Sequence, residues 1–150
     1  MSQKKRPRRL GATIAMAVAT PAALAIETTA RVLFLPPDLN AFRLELEPAL
    51  TPVAWGLLVL AAASVPLGFA AKRSVTKRLV EKVNAYGGSE EKLAEARFEA
   101  VFVAASIPQI PALLATVALT AGSSALPVLL AVGLSVVAVL VIAHEKHSAP

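Results

Sequence analysis

Residues 100–143 read AVFVAASIPQIPALLATVALTAGSSALPVLLAVGLSVVAVLVIA, without one Asp, Glu, Lys or Arg. The run is too long for a single membrane-spanning helix and suits two. A bilayer core about 30 Å thick takes roughly 20 apolar residues at about 1.5 Å rise each. Gly122-Ser123-Ser124 lies at the middle of the run, with Pro127 just beyond, where a tight turn between two spans falls. Two further uncharged runs cover Leu10 to Ile26 and Pro48 to Ala71. Lipid offers no water to backbone groups, so each run must be helical or part of a closed barrel. Runs this long without alternation exclude the barrel. The expected fold class is an all-α membrane protein of four transmembrane helices arranged as two helical hairpins. Its spans fall at about 11–35, 52–71, 100–121 and 125–143.

Composition agrees. The 150 residues are 56% hydrophobic and 17% charged, with a mean hydropathy of +0.65. A soluble domain carries about 25% charged residues. Four spans use over half the chain, which leaves one membrane domain over 1–150 with short extensions. Cysteine is absent, which excludes disulfides, thiol catalysis and thiolate metal sites. The two histidines, His144 and His147, sit in the C-terminal tail and read as solvated rather than as a metal site. No nucleotide loop, metal motif or hydrolase triad is present, so the expectation is a non-enzyme with no cofactor and no metal.

In a soluble protein the net charge of +5 would point to nucleic acid. Here the positive-inside rule accounts for it, and no nucleic-acid partner is expected. Lys4, Lys5, Arg6, Arg8 and Arg9 precede the first run, and Lys72, Arg73, Lys77, Arg78 and Lys82 follow the second. Between those runs, Asp38, Arg43, Glu45 and Glu47 are net negative. Both termini and residues 72–99 are therefore placed in the cytoplasm, in a membrane of bacterial inner-membrane type. The basic clusters would also meet anionic lipid headgroups, at about 1 kcal/mol per residue.

The first segment fits two readings. Lys4 to Arg9, then Leu10 to Thr20, then Ala23-Leu24-Ala25 form the three regions of a signal peptide. Against cleavage, the apolar pattern resumes after Ala25 and continues through Val32-Leu33-Phe34-Leu35 to Pro36-Pro37, a natural helix stop. Pro36 to Leu50 is expected to be an outer loop, either extended or an interfacial helix. Beyond Ala71 the second helix continues with an apolar stripe of Val75, Leu79, Val83 and Tyr86. Gly87-Gly88 ends it, and Ser89 is placed as N-cap ahead of Glu90 and Glu91. Residues 72–99 thus read as a cytoplasmic helical hairpin with a basic and an acidic arm, held by its own complementary charges or offered as a docking surface.

Four residues inside the spans stand out. Glu27 and Arg31 are four apart and share a helix face, where they can pair. Such a pair is either a fixed structural clasp or a proton-carrying acid. Gln109 lies near the middle of the third span, between Pro108 and Pro111, which free the carbonyls of residues 104 and 107. Gln109 and Ser106 either satisfy local backbone and help helices pack, or line an ion site. With spans centred on their midpoints, Glu27 and Gln109 lie roughly 7 Å apart in height. Gly133 and Ser135 mark close packing in the fourth span.

Thr20-Pro21-Ala22-Ala23-Leu24-Ala25 echoes Ile110-Pro111-Ala112-Leu113-Leu114-Ala115. With Gln109 ahead of Ile110-Pro111-Ala112-Leu113, the chain resembles the proteolipid (c-type) subunits of rotary ATPases and small related membrane proteins. It departs from them in three ways. Gln109 stands where those proteolipids carry an ion-binding carboxylate. The glycine-repeat helix that lets them pack into tight rings is missing. The segment 72–99 is longer than a rotor subunit's polar loop. The resemblance implies a shared helical-hairpin architecture without an intact ion carrier. The expected role is a non-enzymatic subunit or scaffold of a membrane complex, as a homo-oligomer or with other membrane subunits. The alternatives are a proton- or cation-translocating proteolipid-like subunit and a holin-like pore former.

Overall fold

The computed structural model describes residues 6–144. Lys4, Lys5, Lys146 and His147 lie outside the described residues. The described chain contains four helices: α1 (Arg6–Phe34), α2 (Pro37–Ala85), α3 (Glu90–Ala121) and α4 (Ala125–His144). Each is long and apolar enough to cross a membrane.

The clearest departure from expectation is α2, which runs unbroken for 49 residues. The segment 37–50 is helical and continuous with the second span. Pro37 at N1 and Asp38 in the first turn favour helix initiation. The apparent alternation of Phe42, Leu44 and Leu46 hides a helical period. Arg43, Leu46, Glu47, Leu50 and Thr51 are the half-buried positions that lead to buried Ala54. Pro48, Pro52 and Pro66 sit inside α2. Each removes one backbone donor without ending the helix.

The helix ends follow the glycines. Gly87, at φ 64°, closes α2 with Gly87 N–H to Asn84 O at 3.1 Å and Gly88 N–H to Val83 O at 2.9 Å. This pair of bonds is a Schellman motif. Gly122, at φ 128°, repeats it on α3, with Ser123 N–H to Ala118 O and Gly122 N–H to Leu119 O. Ser89 occupies the N-cap of α3 with Glu90 and Glu91 in the first turn, but its hydroxyl makes no cap bond. Tyr86 points outward, while Val75, Leu79 and Val83 are half-buried.

Helix α3 is the centre of the packing. It runs antiparallel to α2, which places Gly68 against Ala104 and Pro108, and Arg43 against Leu119 and Thr120. Helix α1 packs on α3 and α4 rather than on α2, although only Leu35 and Pro36 separate α1 from α2. The buried side chains are small. Ala96, Ala100, Ala104, Pro108 and Ala112 recur at every fourth residue of α3, and α2 contributes Ala54, Ala61, Ser64 and Gly68. The bulky residues face outward, among them Ile26, Leu33, Val59, Leu67, Val117, Leu126 and Val137. Helices that meet through small residues approach closely and gain dispersion contacts along their backbones. Gly68 shows how closely: a Cβ there would sit 2.9 Å from Ile142 Cδ1 and 3.1 Å from Ala104 O. Gly133, by contrast, has open space beside it, so the close-packing position in α4 is the fully buried Ser135.

Candidate functional site

The inward face of α1 carries Thr13, Ala17, Thr20, Leu24, Glu27 and Arg31. Their spacings of three, four and seven keep one helix face turned to α3 and α4. Glu27 and Arg31 form an ion pair through Oε1 and Nε. The Glu27 side chain is 9% exposed and Arg31 is 21% exposed. Glu27 Oε2 and Arg31 Nη2 are buried and have no hydrogen-bond partner. Thr28 and Thr29, on the opposite side, satisfy their hydroxyls on Leu24 O and Ala25 O.

Gln109 is buried between prolines on α3 and reaches across to α1. Its Nε2 donates to Met16 O at 3.0 Å. A carbonyl oxygen has two lone pairs, so Met16 O can hold this bond beside its helical one. Ser106 does something else: its hydroxyl bonds Phe102 O on its own helix at 2.9 Å. The structure thus brings Glu27 and Arg31 together and ties Gln109 to α1, but it does not gather the four residues into one site. Glu27 is eleven residues beyond Met16, roughly 16 Å along α1. That exceeds the 7 Å expected from span midpoints, because Gln109 is level with Met16 rather than with the centre of the first span.

Two cations of α2 have a role that charge counting assigned to the aqueous phase. Arg43 donates through Nε to Thr120 O at 2.9 Å and through Nη2 to Leu119 O at 2.6 Å. Lys72 is 4% exposed and donates through Nζ to Ile142 O at 2.6 Å. Each satisfies carbonyls in the final turns of another helix and places a positive charge at the negative end of its dipole. The sequence offered one signal: the last turn of α3 contains no basic residue. A third cross-helix bond runs from Ser124 N–H to Thr51 Oγ1 at 3.1 Å. Only Leu35 and Pro36 separate α1 from α2, so the Glu27–Arg31 pair lies toward the same end of the bundle as Arg43, the α3 C-terminus and the start of α4. Among the described residues no three His, Asp or Glu gather as a metal site requires. No protein family matches the chain, and no curated protein or solved structure shows significant similarity to it.

Proposed function

We propose that this chain is a multi-pass membrane subunit or scaffold, non-enzymatic, that works by packing its helices against partner helices. It forms one membrane domain. The observation that carries the reading is how little of the first two spans the chain covers for itself. Only 11% of the α1 span and 22% of the α2 span are buried internally, against 50% for α3. On the uncovered face of α2, Gly56 leaves open space between bulky neighbours, as Gly133 does on the outer face of α4, surfaces that permit close helix approach. The inverted arrangement of side chains, small inside and large apolar outside, suits a lipid surround, where lipid tails and Leu are equally apolar.

The orientation follows from the basic residues. Arg43 and Lys72 are 29 residues apart on α2, roughly 43 Å along the helix. That matches a bilayer with its headgroups, about 40–45 Å. The end carrying Lys72, Arg73, Lys77, Arg78 and Lys82 is cytoplasmic, as are both termini and the helical arms over 72–99. The membrane is of bacterial inner-membrane type, and the exposed cations Arg73, Lys77, Arg78 and Lys82 meet its anionic headgroups.

Mass measurement of the particle released into mild detergent tests the subunit reading. An oligomer or a hetero-complex is expected, and a strictly monomeric particle overturns it. A proton- or cation-translocating, proteolipid-like role is the second reading, favoured by the burial of Glu27 and Gln109 on inward faces. It requires flux in proteoliposomes that falls in Glu27→Gln and Gln109→Ala variants. Flux untouched by both removes these residues from any transport path.

A further inference from the structure

Between α2 and α4, on the lipid-facing side of their contact, lies an open groove of about 490 Å³ lined by Phe69, Leu140, Val141 and His144. On the inner side the same two helices are locked together. Gly68 leaves room for Ile142 Cδ1, and Lys72 Nζ donates to Ile142 O at 2.6 Å. The groove therefore sits on a fixed helix pair, at the level where α2 leaves its apolar span for its run of cations.

Both walls carry the same order of chemistry. On α2, exposed Arg73 follows Phe69 by four residues. On α4, exposed His144 follows Leu140 by four and Val141 by three. Residues so spaced share a helix face. Thr51 meets Ser124 at one end and Lys72 meets Ile142 at the other, so α2 and α4 run in the same direction. Each wall thus turns from apolar to hydrogen-bond-donating one turn further on, at the same end. That is the profile of an amphiphile, a slot for hydrocarbon below a rim for an anion. An anion beside the last turn of α4 would ordinarily meet the negative end of the helix dipole. Lys72, seated on Ile142 O, offsets that charge within the same turn.

We propose that this groove holds one anionic phospholipid of the adjoining leaflet. One acyl chain lies along Phe69, Leu140 and Val141, and the phosphate accepts hydrogen bonds from the Arg73 guanidinium and the His144 imidazole. The arginine fork matches phosphate oxygens in geometry as well as charge. Basic pockets between transmembrane helices at the cytoplasmic side suit such headgroups. An apolar partner helix would fill the slot but leave the donors of the rim facing hydrocarbon. The lipid is held on one face at fixed stoichiometry, unlike the diffuse headgroup contact of the whole basic cluster. Retention is counted per chain, so it is the same for a monomer and for a larger assembly.

The site rests on the membrane-embedded reading, which carbonate washing of the same vesicles tests separately. The full-length chain is reconstituted in vesicles where dioleoylphosphatidylcholine greatly outnumbers dioleoylphosphatidylglycerol. It is then extracted into mild detergent, and the lipids retained per chain are counted by native mass spectrometry. The parent should keep one phosphatidylglycerol per chain. Arg73→Ala with His144→Ala should lower the retained ratio of phosphatidylglycerol to phosphatidylcholine at least about tenfold, the scale of a lost charge-assisted hydrogen bond. Arg78→Ala with Lys82→Ala strips two exposed charges from another face of α2 and should leave the ratio unchanged. Equal losses from the two pairs mean diffuse attraction and overturn the site. Val141→Trp fills the slot and keeps every charge, so it should also lose the lipid. Retention that survives Val141→Trp means an anion bound without its acyl chain and overturns the proposal. No retained phosphatidylglycerol in the parent leaves the groove to bulk lipid or a partner helix, and overturns it too.

Discussion

The Lys72 ammonium donates to the Ile142 carbonyl at 2.6 Å, and both residues are buried. An ammonium in this position offsets the desolvation of a helix C-terminus that has no intrahelical donor for its last carbonyls. Lys72→Met keeps the aliphatic stem and removes the charge. It should cost about 1.5–3 kcal/mol, the range for a hydrogen bond with a charged partner. Thermal unfolding in detergent reads this. Lys77→Met, on an exposed position of the same helix, should change stability by less than about 0.5 kcal/mol. Equal effects from the two variants would remove the cap.

Arg43 tests the opposite end. Its guanidinium spans two successive carbonyls, Leu119 O and Thr120 O, which a single ammonium cannot reproduce in the same geometry. Arg43→Lys should therefore recover only part of the loss seen in Arg43→Ala, itself about 1–3 kcal/mol because the site is partly exposed. Hydrogen exchange at the α3–α4 turn should rise in both variants. Full recovery by lysine would show that charge alone matters there.

Glycine replacements separate close approach from open surface. Gly68→Ala places a Cβ against Ile142 Cδ1 and the backbone oxygen of Ala104, so it should destabilise by about 1–3 kcal/mol through overpacking. At Gly122→Ala, positive φ adds to a Cβ only 2.7 Å from Arg43 O. Gly133→Ala meets nothing within 4 Å and should be neutral in the isolated chain. If it weakens the oligomer while leaving the monomer's melting unchanged, α4's outer face is an assembly surface.

The sequence showed some of this and hid the rest, for physical reasons. The four helices were legible because transfer into lipid depends on local runs of apolar residues. Gly87-Gly88 and Gly122 were legible because positive φ is a local demand. The sequence leaves 37–50 open between an extended segment and an interfacial helix because three alternating residues, Phe42, Leu44 and Leu46, fit two periods, and its continuity with the second span is not visible there. Arg43 and Lys72 looked like loop charges because their partners lie 70 or more residues away. No local rule reaches that far. Gln109 was visible as an oddity, but its partner depends on the register of α1 against α3.

Sidedness has a direct test. Ser89 is exposed between α2 and α3, and the chain has no competing thiol. In right-side-out vesicles a membrane-impermeant maleimide should leave Ser89→Cys unmodified until the membrane is opened. Labelling of intact vesicles would reverse the orientation argued from the basic residues.

Gln109 and Thr20 compete for one acceptor, and a double-mutant cycle should expose it. Gln109→Leu removes the bond to Met16 O, which a membrane interior values at about 0.6 kcal/mol on average and up to about 1.7. The same change leaves Met16 O open to the Thr20 hydroxyl one turn on, so part of the loss is recovered locally. Thr20→Val prevents that recovery. The double variant should therefore lose more stability than the two single losses combined, by about 0.5 kcal/mol or more, the scale of coupling between residues that share a partner. Strict additivity would mean that Thr20 does not turn to Met16 O when Gln109 is gone. A double variant less damaged than the sum would place the two side chains in a direct bond with each other instead.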